Sequence, residues 1–237
     1  MDLSIDWGWL ADHVGAMYER FLQHLQLVVI AVLAGFVIAL VLGIWAYRRR
    51  RAYAWIILVA GLLYTIPSLA AFALLRPVTG LTLLTALIPL TTYTLLILVR
   101  ANVAGFDSVP ADVLEAAEGM GYTRRQRLLR VELPLALPLI MAGIRLATVT
   151  TIGLATVASI LGESFGGFGF FITEGLNRFF LTEILAGAVL SIALAFAADF
   201  LLVRLERRIT PWSRAAETTW FIRGTISAVR WLAISQL

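Results

Sequence analysis

Glu115-Ala116-Ala117-Glu118-Gly119-Met120-Gly121-Tyr122-Thr123-Arg124-Arg125-Gln126-Arg127-Leu128-Leu129-Arg130-Val131-Glu132-Leu133-Pro134 breaks an otherwise apolar chain with a charged insert. Its local chemistry predicts two short helices. Ser108 is a candidate N-cap, Pro110 is tolerated in a first helical turn, and Asp112 and Glu115 sit where the helix dipole favours negative charge. Val113, Ala116, Ala117 and Met120 recur at i, i+3, i+4 and i+7 and form one apolar face, opposite Asp112, Glu115 and Glu118. Gly119 and Gly121 are expected to stop this helix, and Thr123 with Gln126 carries a capping-box signature that starts another. Arg124 and Arg125 then open the second helix, where the dipole disfavours positive charge. That marks either a functional surface or contact with lipid headgroups. Leu133-Pro134 and Pro138 are expected to end this helix and tip the chain back into the bilayer.

Outward from the insert, the sequence has the balance of a membrane protein. Of 237 residues, 60% are hydrophobic and 14% charged. A spanning helix needs about 20 largely apolar residues. Five stretches qualify: Leu25–Tyr47, Ala54–Leu75, Leu81–Val99, Leu135–Leu161 and Ile184–Val203. Residues 1–209 therefore read as one all-α integral membrane domain of five transmembrane helices, with 108–134 as a loop and 210–237 as a tail. Arg collects at Arg48 to Arg51, in the 100–130 region, and at Arg204, Arg207 and Arg208. By the positive-inside rule the insert and the C-terminus are cytoplasmic and the N-terminus lies outside. The acidic N-terminal segment has no basic n-region and is expected to form a short amphipathic helix on the outer surface. The tail, with Trp212, Trp220 and Trp231 beside Arg214, Arg223 and Arg230, reads equally as an interfacial helix or as disorder. There is no Cys, so disulfides, thiolate metal sites and Cys nucleophiles are excluded. Every one of the nineteen basic residues is Arg, and no basic stripe interleaved with aromatics points to nucleic acid.

Within the spans, Gly35-x3-Ala39-x3-Gly43 and Gly187-x3-Ser191-x3-Ala195 permit close helix approach, either inside the chain or at a subunit interface. Pro67 and Pro89 predict kinks. Arg145, Thr148 and Thr151 make the fourth span polar. Arg145 either contacts backbone carbonyls or snorkels, as a structural residue, or serves a transport path; Asp199 either pairs with it or faces headgroups. The Thr hydroxyls either bond their own helix or line an aqueous stripe. No convergent acid/base or metal set is present, since Glu163, Glu174, Asp199 and Arg145 are scattered.

The spacing Glu115-Ala116-Ala117, three residues, Gly121, nine residues, Val131-Glu132-Leu133-Pro134 resembles the EAA signature of permease subunits of ABC importers. Every consensus position is filled, with Val131 in place of the usual Ile. The resemblance implies a type I importer permease fold, with the two short helices coupling to the groove of an ATP-binding subunit. It assigns that docking to Glu115, Ala116, Ala117, Glu118, Gly119, Met120, Gly121, Tyr122, Thr123, Arg124, Val131, Leu133 and Pro134. It further implies a second permease subunit, identical or related, an extracytoplasmic solute-binding protein, surrounding membrane lipid, and residence in a bacterial cytoplasmic membrane. ATP and Mg belong to the partner ATPase. This chain has no Gly-x4-Gly-Lys-Ser/Thr loop and no Lys at all, so no cofactor of its own is expected.

Thr65-Ile66-Pro67-Ser68-Leu69-Ala70, Glu132-Leu133-Pro134-Leu135-Ala136-Leu137-Pro138 and Gly143-Ile144-Arg145 with Ala147-Thr148-Val149 resemble the osmoprotectant branch of these permeases, over roughly residues 21–208. That branch imports glycine betaine, choline, carnitine or proline betaine. A quaternary ammonium donates no N–H bond and is held by aromatic faces. Tyr64 and Tyr93, beside Thr65 and Ser68, offer such faces in a translocation path or else serve packing. Gly162-Glu163-Ser164-Phe165-Gly166-Gly167-Phe168-Gly169 departs from the branch in carrying an acid within a longer turn. The alternatives are a permease for another small solute such as an amino acid, and a channel or scaffold without ATPase coupling.

Overall fold

A computed structural model describes residues 5–162 and 165–212, so the expectations for the tail beyond Trp212, and for Glu163 and Ser164, fall outside the described residues. Helices α1 (Trp7–Asp12), α2 (Val14–Arg48), α3 (Arg50–Thr65), α4 (Ser68–Thr79) and α5 (Leu83–Asp107) make up the first half. Then come α6 (Ala111–Gly119), α7 (Arg124–Arg127), a π-helical turn (Leu128–Glu132), α8 (Leu133–Val157), a 3-10 turn (Ala158–Leu161), α9 (Gly169–Arg178) and α10 (Leu181–Ile209). Four helical stretches are long and apolar enough to cross a membrane, and α3 with α4 makes a fifth only as a pair bent by 91°.

The centre of the bundle is α2 against α5 and α5 against α8. Small residues set those distances. A Cβ built on Gly35 would lie 1.8 Å from Thr94 Oγ1, and one on Gly43 would lie 2.7 Å from Asn102 Cβ. The first small-residue stripe is thus an intrachain α2–α5 contact, where dispersion replaces the missing hydrophobic drive between helices in lipid. The second stripe is also intrachain, because Gly187 abuts the Phe168 carbonyl and Ile172 beside α9.

Several expectations are corrected. The Pro67 kink is a complete break, since the chain leaves the helix at Ile66 (ψ 124°) and restarts at Ser68. Pro67 has no N–H to continue the ladder and biases Ile66 toward extended backbone. Pro89, by contrast, lies inside a continuous α5. The N-terminal surface helix is only the six residues of α1, and the segment from Val14 on belongs to the first span. Trp9 of α1 packs edge-on against Phe171 and Phe180, and the Asp6 N–H donates to Thr182 Oγ1 at 3.0 Å, so α1 is anchored to the α9–α10 turn. Buried His24 is a strut in the same region. It accepts from the Phe168 N–H at Nδ1 (3.2 Å), which leaves Nε2 to donate to the Ile152 carbonyl (3.1 Å).

Candidate functional site

The insert forms a compact corner built from its own backbone. Ser108 is not its cap. That hydroxyl donates back to the Gly105 carbonyl at 2.7 Å and closes α5, while α6 starts after Pro110, which brings no N–H needing a cap. At the far end of α6 the Tyr122 N–H donates to the Ala117 carbonyl (3.1 Å) and the Gly121 N–H to that of Glu118 (2.9 Å). These two bonds are a Schellman motif, which requires a left-handed residue at its turn. Gly121 supplies it at φ +79°, with nothing within 4 Å of where a Cβ would be. The need for glycine is therefore conformational and not steric. Gly119 is simply the last residue of α6, so only one of the two expected stop residues turns the chain.

The capping box at Thr123 is present: the Gln126 N–H donates to Thr123 Oγ1 (3.3 Å), and the Thr123 N–H to Gln126 Oε1 (2.9 Å). The second short helix does not end at Leu133-Pro134. It passes through the π-helical turn, with the Leu133 N–H reaching the Leu128 carbonyl, directly into α8. A wider turn displaces the carbonyl that the Pro134 ring would otherwise strike.

Arg127 clamps the corner. Its guanidinium pairs with Glu118 of α6 and, through Nε at 2.6 Å, with Glu132 in the π-helical turn, whose side chain is only 3% exposed. The i,i+4 rule misses this second pair, because the π-helical turn brings residues five apart into register. The expected uniform apolar face is split by the fold. Ala117 is buried against the chain and Val113 is half-buried, while Ala116 and Met120 face outward, Met120 at 68% exposure. Glu115, Glu118, Gly119, Gly121, Thr123 and Arg124 are exposed beside them, with Tyr122, Val131, Leu133 and Pro134 half-buried behind. The corner thus offers a small apolar spot ringed by charge, held rigid from below.

The residues assigned to a translocation path do not form one lining within this chain. Tyr64 and Tyr93 meet edge to face at 5.8 Å beside the α3–α4 break, and the Tyr93 hydroxyl donates to the Ile66 carbonyl at 2.7 Å. Thr65 Oγ1 donates to the Leu62 carbonyl (2.7 Å), and Ser68 opens α4 half-buried. Thr148 and Thr151, in contrast, are buried and bond the Ile144 and Ala147 carbonyls of their own helix. Arg145 lies at the α8–α10 seam, where it forks onto Asp199 (2.8 and 3.2 Å) and reaches Glu206 at 3.4 Å. Asp199 therefore pairs with Arg145. Glu206 escaped the sequence reading, although it lies two helical turns beyond Asp199 on the same face of α10. No group of three or more metal-ligating side chains occurs among the described residues.

Residues 28–211 match the family described as binding-protein-dependent transport system inner membrane component. This chain belongs to that family. The permease is 36% identical over 203 residues to the choline transport system permease protein OpuBB of Bacillus subtilis (strain 168), covering 86% of this chain and 93% of the relative. It is 40% identical over 189 residues to the carnitine transport permease protein OpuCB of Listeria monocytogenes (80% and 86% covered). To the osmoprotectant import permease protein OsmW of Salmonella typhimurium it is 36% identical over 208 residues (86% and 96%). Among solved structures, an inward-facing form of the MetNI methionine ABC transporter superposes with a TM-score of 0.71 at 22% identity, over 82% of this chain and 96% of that one. That likeness speaks for the fold alone. The chain is a multi-pass inner-membrane permease subunit of a binding-protein-dependent transport system, with the type I ABC importer fold.

Proposed function

We propose that this permease forms the translocation path for a quaternary-amine osmoprotectant and couples it to ATP hydrolysis through α6 and α7. The observation that carries the coupling reading is the outward pair Ala116 and Met120 on a corner whose backbone turn and Arg127 clamp are satisfied internally. An exposed apolar spot with a charged rim is what a docking protein surface covers and buries. The substrate reading rests on relatives named for choline, carnitine and osmoprotectant transport, together with the aromatic pair at the α3–α4 break. An external binding protein supplies the solute, ATP and Mg sit on the ATP-binding subunits, and this chain holds no cofactor. Two permeases rock between inward- and outward-open states as two ATPase subunits close on their corners. The N-terminus lies outside and the corner and C-terminus are cytoplasmic, in line with the Arg distribution.

Met120→Asp and Ala116→Arg test the coupling. Both side chains are exposed, so the permease is expected to fold and insert normally while losing co-purification with its ATP-binding subunit and solute-stimulated ATP hydrolysis. Intact assembly and hydrolysis in both variants would refute the coupling role. Titrating the cognate binding protein with choline, betaine, carnitine and amino acids tests the cargo: failure of every quaternary amine to bind removes the osmoprotectant assignment and leaves the importer standing.

A further inference from the structure

The tip that joins α2 to α3 carries Arg48 to Arg51, and beside it a groove of about 810 Å³ runs up between the two helices. Leu42 and Trp45 of α2 form one wall, and Trp55, Val59 and Leu63 of α3 the other, with Arg49, Arg50 and Arg51 at its mouth. Arg50 is committed elsewhere: it forks onto Asp107 at the end of α5, with Nη1 to Oδ2 at 2.8 Å. Arg49 and Arg51 are exposed and have no carboxylate partner among the described residues. Two uncompensated guanidinium groups therefore cap an otherwise apolar cleft. Trp45 and Trp55 are 52% and 69% exposed. Indoles of that kind sit at the level of lipid headgroups, with the ring against acyl carbon and the N–H toward water.

We propose that this groove is a binding site for an anionic phospholipid. Guanidinium groups bind a phosphate in forked, charge-assisted geometry, and basic pockets between membrane helices are suited to acidic headgroups. The phosphate lies between Arg49 and Arg51, the glycerol backbone beside the two indoles, and an acyl chain along Leu42, Val59 and Leu63. A zwitterionic lipid brings its own cation to a mouth that already holds two unpaired ones, so net negative charge is the property selected. The site also adjoins the coupling corner. Arg50 ties its mouth to Asp107, the last residue of α5, and α6 begins at Ala111.

The test uses the full chain reconstituted in vesicles and quenching of its tryptophans by brominated lipid. Brominated phosphatidylglycerol is expected to quench more than brominated phosphatidylcholine at equal mole fraction. That preference should be absent from Trp45→Phe/Trp55→Phe, which removes the reporters. Arg49→Gln/Arg51→Gln should lower it about fivefold per Arg removed, while Arg49→Lys/Arg51→Lys should retain most of it. Equal quenching by the two lipids overturns the proposal, as does a preference untouched by Arg49→Gln/Arg51→Gln. Shielding of Trp45 and Trp55 from both lipids also overturns it, because the groove is then filled by protein such as a second copy of this chain.

Discussion

Two of the chain's sharp turns, the Gly121 corner and the Ile66–Pro67 break, are held by different kinds of bond. At the Gly121 corner the hydrogen bonds and ion pairs are local: the Schellman pair, the Thr123–Gln126 box and the Arg127 clamp all fall between residues 117 and 132. At the Ile66–Pro67 break the 91° bend is secured from another helix, by Tyr93 of α5 bonding the Ile66 carbonyl. The contrast follows from the solvent. A corner in water can leave spare polar groups to hydration and needs only local order. A break among membrane-spanning helices frees carbonyls that lipid cannot satisfy, so a neighbour must do it. One turn carries its own polar support; the other takes its support from a neighbouring helix.

The largest expected effect comes from removing the clamp. Arg127→Met leaves Glu132 buried without a counter-charge, which costs about 3 kcal/mol or more. Thermal unfolding of the purified permease should shift down, with loss of co-purified ATP-binding subunit. Arg127→Met/Glu132→Leu should recover most of the stability, since an apolar pair of similar volume replaces a buried ionic one with little penalty. Glu118→Ala, at the exposed end of the same clamp, should cost under about 1 kcal/mol. Equal losses for Glu118→Ala and Arg127→Met would show that Glu132 does not depend on this partner.

At the membrane break the expected effect is smaller. Tyr93→Phe strands the Ile66 carbonyl and should cost about 1–2 kcal/mol. Pairing it with Pro67→Ala sharpens the contrast. If the break depends on Tyr93, then Pro67→Ala alone leaves the α3–α4 angle unchanged in spin-label distance measurements, and only Pro67→Ala/Tyr93→Phe straightens it. Straightening by Pro67→Ala alone would make proline the cause and the tyrosine a bystander.

This difference in support also explains what could be read without coordinates. Thr123 and Gln126 identify their turn from spacing alone because both partners of the capping box are three residues apart. The apolar runs likewise reveal four of the long apolar helices from length and composition, while the expected span Ala54–Leu75 falls on α3 and α4, bent by 91°. Tyr93 could be seen only as an aromatic in a span, since its bond to Ile66 joins residues 27 positions apart. Three further features were hidden for related reasons. The Arg127–Glu132 pair uses a π register that helical periodicity does not contain. Buried His24 bonds a carbonyl 128 residues away. Ala116 and Ala117 look equivalent in sequence, yet tertiary packing buries one and exposes the other. The candidate path suffered most: Thr148 and Thr151 share a residue type with pore linings, but their hydroxyls are consumed by their own helix.

The smallest effect separates the two glycines of the corner. Gly121 sits at φ +79°, where a β-carbon is disfavoured, while Gly119 is helical and both have open space around them. Gly121→Ala should therefore destabilise by about 1 kcal/mol. Gly119→Ala should be neutral or stabilise by up to about 1 kcal/mol, because alanine restricts the unfolded chain and favours the helix. Thermal unfolding of the isolated permease reads this difference in sign. ATP hydrolysis by the assembled importer reads a second quantity, because Gly119 is exposed on the corner and a methyl there stands where a docking surface would approach. If Gly119→Ala raises stability yet lowers solute-stimulated hydrolysis, Gly119 is kept bare for contact and Gly121 for conformation. If both substitutions cost stability alike, the Schellman turn is not what fixes the corner, and the Arg127 clamp must hold it without backbone help.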